Sequence, residues 1–398
     1  MDTAARRYLI GFLACICLVL GAVSLLNYQV DPYLLHQWDS PLLQRPRQLN
    51  EKLGAWAKTY AVARYRPAII YIGNSRTELG LPTGVRALFG GKSVFNSAVS
   101  GASIGDAIRL AEHAARVSRV ETMVWGIDAP TFSLNMGAAR VEDSLTGAER
   151  GFFARRVLVN LKRGLTLDMT EDSVRILTGN AGDVCRSNLA LYGQRDETCT
   201  RKGMRHWLGT KDAIPVRLQE FGDGLGPTPP STLALDASIG KLCRSGLSLR
   251  LRLYINPTHA LTLYALHWRG KWDAMQAWQR GLVQVAGRHR QQGCDVRLYD
   301  FSGFNSITTE ATPLVSGKPE MHYYWEVSHY RDNVGRLILA RLFGGDTPPP
   351  ADFGVELTQA NVDAHHAATR AARDRYRVEH AREAAYAQQV LDGPLIRR

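Results

Sequence analysis

The chain is poor in the residues that build metal centres or cross-linked scaffolds. Its 398 residues hold six cysteines and no C-x-x-C pair, so no zinc-finger-like ligand set is present and a small disulfide-stapled fold is excluded. It has no Walker A motif and no internal repeat, which excludes P-loop nucleotide chemistry and solenoid architectures. Acidic residues are short: 37 Asp and Glu face 49 Lys and Arg, a formal charge of +12. Only one long apolar run occurs, and mean hydropathy is −0.19, so a polytopic membrane protein is excluded. The rest is ordinary globular composition, 45 % apolar and 22 % charged. That excludes a mostly disordered chain and a collagen-like fibre.

The single apolar run is residues 8–26, YLIGFLACICLVLGAVSLL, without a charge. As a helix it reaches roughly 28 Å, close to the thickness of a bilayer's hydrocarbon core. Arg6 and Arg7 precede it, and the downstream flank carries Asp31. The positive-inside rule then puts the N-terminus in the cytoplasm and residues 31–398 outside. The run is long for a signal peptide and no A-x-A site follows. A lipobox at Cys15 fits poorly, because Phe12-Leu13-Ala14 lacks the expected leucine. The expectation is an uncleaved inner-membrane anchor with a periplasmic or extracytoplasmic main domain. Cys15 and Cys17 lie in the span as inert small residues. The other four, Cys185, Cys199, Cys243 and Cys294, allow three pairings in an oxidising compartment. The pairs 185–199, a short loop, and 243–294, each shortly before a predicted strand, are favoured over free thiols. The positive charge has no nucleic-acid fingerprint beside it. It suits anionic lipid or acidic polysaccharide, or plain solubility.

Short β-branched or aromatic runs at 68–72, 93–95, 122–125, 248–255 and 296–299 each precede Gly or polar turns and read as strands. Helical periodicity appears at 104–116, about 271–291 and 333–343. Alternation of this kind predicts an α/β fold with a mostly parallel sheet covered on both faces. Residues about 137–240 interrupt it and read as a helical insertion forming a lid or side subdomain. The domain is thus expected over 31–346. Residues 347–398, with seven Arg and seven acids after Pro350, read as a charged helical tail, solvent-facing or partner-binding, with His365 and His366 exposed.

The residues that can carry chemistry follow strand ends, where functional groups gather in such sheets. Ser75 follows the first strand in Gly73-Asn74-Ser75-Arg76. It is not a G-x-S-x-G elbow, since Thr77 replaces the last Gly, and alone it could be a helix cap. Gly101, in Asn96-Ser97-Ala98-Val99-Ser100-Gly101, can bring a backbone N–H to a substrate oxygen. Asp128 ends Trp125-Gly126-Ile127-Asp128. Glu326 stands three residues before His329 in a loop ahead of the final domain helix. His329 could serve Ser75 as general base, with Glu326 holding the imidazole. Arg76, Asn96 and His259 are possible substrate-binding residues; a salt bridge to the insertion suits Arg76 equally, and a helix start suits His259 better. Of four tryptophans that could stack on sugars, Trp268, Trp272 and Trp278 at helical spacing suit a core better.

Taken together, Gly73-Asn74-Ser75, Asn96 to Gly101, Gly126-Ile127-Asp128 and Glu326-Val327-Ser328-His329 resemble the four blocks of the SGNH/GDSL hydrolase superfamily, in that family's order. The match covers about 35 residues spread over 65–335. It is most similar to the membrane-anchored, extracytoplasmic branch that includes proteins of alginate acetylation and teichoic acid D-alanylation. The resemblance implies a three-layer α/β/α domain and ester hydrolysis or O-acyl transfer with no metal or cofactor. It also implies an oxyanion hole from Ser75, Gly101 and the Asp128 position, on an acylated glycan or other ester. Three residues depart from the family: Asn74 for Asp, Glu326 for Asp, and Asp128 for an oxyanion-hole Asn. An ionised Asp128 would repel a developing oxyanion. The rival readings are a catalytically weak or inactive SGNH-like protein that binds polysaccharide, and an assembly protein that docks an envelope partner through 350–398.

Overall fold

The computed structural model describes residues 3–33, 35–36, 51–133, 141–142, 145–147, 151–179, 192–195, 200, 213–314, 320–345 and 347–394. Its first element, α1 (Thr3–Val30), is long and apolar enough to cross a membrane, and its most apolar window has no buried residue. Helix α2 (Glu51–Tyr65) leads into strand β1 (Ile69–Ile72). Then come α3 (Ser75–Gly80), β2 (Val94–Asn96), α4 (Ile104–Val117), β3 (Thr122–Ile127) and α5 (Ala129–Ser133). Helices α6 (Phe152–Arg163), α7 (Leu167–Leu177), α8 (Ala213–Asp223) and α9 (Leu233–Cys243) separate β3 from β4 (Arg250–Ile255). After them lie α10 (Ala260–Trp268), α11 (Trp272–Gln291), β5 (Asp295–Asp300), and the hairpin strands β6 (Tyr324–Glu326) and β7 (His329–Tyr330). The described chain finishes with α12 (Asp332–Phe343), β8 (Val355–Leu357), α13 (Val362–Glu379) and α14 (Ala381–Asp392).

The fold is α/β with a mostly parallel central sheet. Strand order is β2-β1-β3-β4-β5-β8, with β1 to β5 parallel and β8 antiparallel at the edge. All five predicted strands and all three helices are present within a few residues. Alternate strand residues feed two cores. Ile70, Ile72, Met123, Trp125, Leu251 and Leu253 pack on one face, whereas Ile69, Tyr71, Val124 and Tyr254 pack on the other. Burial on both faces explains why these strands read as continuous apolar runs. Helix α4 is held by a capping box, in which the Ser103 side chain accepts from the Asp106 N–H while Asp106 accepts from the Ser103 N–H.

Two expectations for the C-terminal part give way. Residues 347–398 are not simply a solvent-facing tail: β8 extends the sheet, and Tyr376, Ala384, Ala387 and Leu391 join a third core with Ile214, Leu218, Tyr264 and Val327. Apolar residues one turn apart on otherwise charged helices were enough to hold them down. His366 is fully buried, and the His365 Nε2 lies 2.9 Å from Asp300 Oδ2.

Cys243, at the end of α9, and Cys294, just before β5, are at disulfide distance, as favoured from sequence, with Cα atoms 5.8 Å apart. Both sit at the same edge of the paired strands β4 and β5. Cys185 and Cys199 lie outside the described residues. The 243–294 bond closes a loop of 51 residues. Replacing both cysteines with serine is expected to lower unfolding free energy by about 2–4 kcal/mol, read as a lower urea midpoint.

Candidate active site

Ser75 opens α3 at the carboxyl end of β1. It is the one partly exposed residue in an otherwise buried stretch from 69 to 83. Gly73 makes the approach possible, since a Cβ there would lie 2.3 Å from Thr77 Oγ1. Asn74 caps the helix, its Oδ1 accepting from the Arg76 N–H at 3.0 Å. The cap fixes where the Ser75 side chain starts.

The partner for Ser75 comes from 254 residues away. His329 Nε2 lies 2.8 Å from Ser75 Oγ. Glu326 and His329 are facing residues of the β6–β7 hairpin, not of an open loop, and Glu326 Oε1 contacts His329 Nδ1. The second carboxylate oxygen accepts from the Ser328 N–H at 2.8 Å. With Nδ1–H held by a carboxylate, Nε2 is left as the acceptor for the Ser75 proton. The Glu326 side chain therefore reaches the imidazole.

The charges are arranged for a neutral base. Burial pushes the His329 imidazole below its ordinary 6.5; Glu326 pulls it upward, while Arg217 and Arg76 add to the downward push. For Glu326, burial alone would raise the carboxyl, but His329, Arg217 and the Ser328 N–H outweigh it and hold the group below 4.5. Arg217, on α8, has its Nε 4.0 Å from Glu326 Oε1.

Gly101 sits in the turn after β2 with φ +73°, a conformation glycine adopts without strain. Ser97 N–H donates to Tyr71 O and Val99 N–H to Gly73 O, which keeps this turn alongside the Ser75 strand end. A buried ion pair locks it further. Lys58 Nζ lies 2.7 Å from Glu78 Oε1 and also donates to Ala98 O. The other Glu78 oxygen accepts from the Ser100 N–H and hydroxyl.

Asp128 takes a part other than oxyanion donor. It is 3 % exposed, and its Oδ2 accepts from Asn74 Nδ2 at 2.8 Å, Arg76 Nη1 at 3.0 Å and Asn256 Nδ2 at 3.1 Å. Its other oxygen is buried without a hydrogen-bond partner among the described residues. Asp128 is thus the counter-ion beneath the Ser75 loop. A buried chain of hydroxyls continues from it through Asn256 to Tyr330, Tyr254 and Thr77.

The three possible substrate-binding residues are committed to the fold. Arg76 is 7 % exposed, pairs with Asp128, donates to Ser328 O and Oγ, and lies 4.6 Å from the Phe221 ring centroid. Asn96 is fully buried, with Nδ2 donating to Thr77 O and Leu81 O. His259 caps α10: its Nδ1 accepts from the Leu261 N–H and its Nε2 donates to Glu310 O. Burial drives its imidazole down to about 4. Trp272, Trp278 and Trp325 are buried, while Trp268 is 41 % exposed with Nε1 on Asp392.

Sequence reasoning missed Lys58, Glu78, Arg217, Phe221, Asn256 and Ser328. Asn256, after β4, had the same strand-end signal as Asp128. Arg217 and Phe221 carry no local signal, because α8 reaches the site only through packing on α10 and α14. An apolar recess lined by Pro130, Phe221, Ile255, Leu263 and Trp278 borders Asp128. No family model matches this chain, and no curated protein matches it.

Proposed function

We propose that the chain is a membrane-anchored, extracytoplasmic serine esterase or O-acyltransferase of the SGNH type, acting on acyl esters of cell-envelope glycans. The Ser75 Oγ to His329 Nε2 distance of 2.8 Å, with Glu326 on the other ring nitrogen, carries the reading. In it, His329 removes the Ser75 proton as Oγ attacks the ester carbonyl. It returns that proton to the leaving alkoxide, and the acyl group passes to water or to a sugar hydroxyl. The N–H groups of Ser75 and Gly101 hold the oxyanion. The order of the four motif blocks and the strand-end placement of each support the family assignment. The glycan substrate follows from the resemblance and from the α1 anchor.

A second reading has one observation in its favour. Asp128 supplies a carboxylate where the family supplies an amide donor, and loss of one oxyanion donor costs about 100–1,000-fold in rate. A protein of this fold could then bind acylated polysaccharide without turning it over.

Active-site labelling separates the two. The full chain in detergent is treated with a fluorophosphonate beside Ser75→Ala and His329→Ala. Stoichiometric label on Ser75, abolished by both substitutions, is the expected result; an unlabelled, folded protein favours the binding reading.

The acid limb of the pH–rate profile follows from the environment of His329. The base works neutral, so activity falls as pH drops through its pKa. Because burial lowers that pKa below 6.5, the midpoint of the acid limb of kcat/KM should lie below pH 6.5. A limb centred above 6.5 would contradict the assignment.

A further inference from the structure

Helix α6 is inverted for a surface in water. Its inward line is Phe152, Arg156 and Asn160, all buried. Arg156 donates to Trp56 O and lies over the Trp56 ring at 4.8 Å, and Asn160 Oδ1 accepts from Trp56 Nε1 at 3.0 Å. Its outward face is apolar: Phe153, Val157, Leu158 and Leu161 are 46–60 % exposed. Across the turn Leu165 and Leu167 are 41 % and 86 % exposed, while further along α7 Glu171 and Arg175 form an exposed ion pair. A helix that turns polar groups inward and leucines outward is built for an apolar surrounding.

The position of this segment names the surrounding. It is bolted to the end of α1. Asn27 Nδ2 donates to Gly164 O and Thr170 Oγ1, each at 2.8 Å, and Ser173 Oγ donates to Asn27 Oδ1 at 2.8 Å. Tyr33 on the same side donates to Asp172 at 2.6 Å. A Cβ at Gly164 would lie 3.8 Å from Ser24 Oγ, and Ser24 belongs to the uncharged stretch 8–26. The α6–α7 turn therefore stands at the level where the apolar helix ends. Arg155 and Lys162 are exposed on α6, suited to lipid phosphates beside a submerged apolar face.

We propose that α6 and the turn that leads into α7 form an interfacial membrane element, its apolar face sunk into the leaflet from which α1 emerges. The proposal rests on α1 crossing the bilayer. Its occupant is lipid, argued from continuity with the span, and not a second protein.

The test uses the full-length protein in vesicles of phosphatidylethanolamine and phosphatidylglycerol. Photoreactive benzoylphenylalanine is placed singly at Leu161, Leu167, Leu18 in α1, and Leu233, which is 75 % exposed on α9. Lipid adducts at Leu161 and Leu167 matching those at Leu18, with several-fold fewer at Leu233, are expected. Adducts at Leu18 without any at Leu161 or Leu167 would overturn the role given to α6 and leave the anchor standing. Crosslinks from Leu161 or Leu167 to a second copy of the chain would replace lipid by a protein interface. Equal adducts at Leu233 would show unspecific lipid contact and sink the proposal. Absence of adducts at Leu18 would remove the anchor itself, and the proposal with it.

Discussion

Replacing His329 with alanine is expected to slow ester turnover by up to about 10⁶-fold, with Ser75→Ala equal to it and the double variant no slower. The equality follows from the geometry. Among the described residues Ser75 Oγ has its proton acceptor in His329 Nε2, so on the proposed mechanism either loss removes the same nucleophile. Glu326→Gln should cost less, about 10⁴-fold. A glutamine can present an N–H to Nδ1, which favours the tautomer that carries its proton on Nε2 and so blocks the base. Glu326→Asp tests the length of the side chain. It keeps the charge but withdraws the carboxylate by about an ångström, a displacement worth about 100-fold when groups must be aligned. Single-turnover release from a chromogenic acetyl ester would rank the four. A ranking in which Glu326→Asp exceeds the parent would show that the hairpin does not hold Glu326 at its imidazole.

Much of the site was legible because parallel α/β sheets put chemistry at strand ends. Ser75, Gly101 and Asp128 each follow a strand whose apolar run marks it. Glu326 and His329 were legible as a spaced pair, but not as neighbours across a hairpin. Strands of three and two residues leave no periodicity to read. The supporting residues were hidden for another reason. Lys58 and Glu78 look like surface charges in sequence, and only the tertiary fold shows them paired with side chains 3 % and 7 % exposed. The C-terminal helices were the largest misreading. Their charge suggested solvent, yet α14 packs on α8 and α10, and Val327, in the turn between Glu326 and His329, lies in that same core. The segment read as a tail thus supports the hairpin that bears His329. Sequence offered Arg76, Asn96 and His259 only as possible substrate contacts, beside a salt bridge for Arg76 and a helix start for His259, since proximity to a motif does not reveal where a polar side chain finds its partner.

Removing the charge of Arg76 is expected to be the most destabilising single change near the site. In Arg76→Met, Asp128 keeps only amide donors from Asn74 and Asn256 and stays 3 % exposed. A buried charge left without its counter-ion costs about 3–5 kcal/mol. The same substitution cuts the bonds from Arg76 to Ser328 O and Oγ, at 2.9 Å each, which tie the Ser75 helix to the hairpin bearing His329. Turnover should therefore fall while the fluorophosphonate still finds Ser75, the signature of a positioning residue. Asp128→Asn is the sharper comparison, because it installs the amide found in the family's oxyanion hole. If Asp128 faced the oxyanion, the change would speed turnover at little cost in stability. As the counter-ion of Arg76, its loss instead strands a buried guanidinium. Stability should drop by an amount similar to Arg76→Met, with no gain in rate. The double variant Arg76→Met/Asp128→Asn should recover much of the loss, since neither charge remains. Urea midpoints for the four proteins close this cycle. Additive losses, or a faster Asp128→Asn enzyme, would return Asp128 to the oxyanion hole.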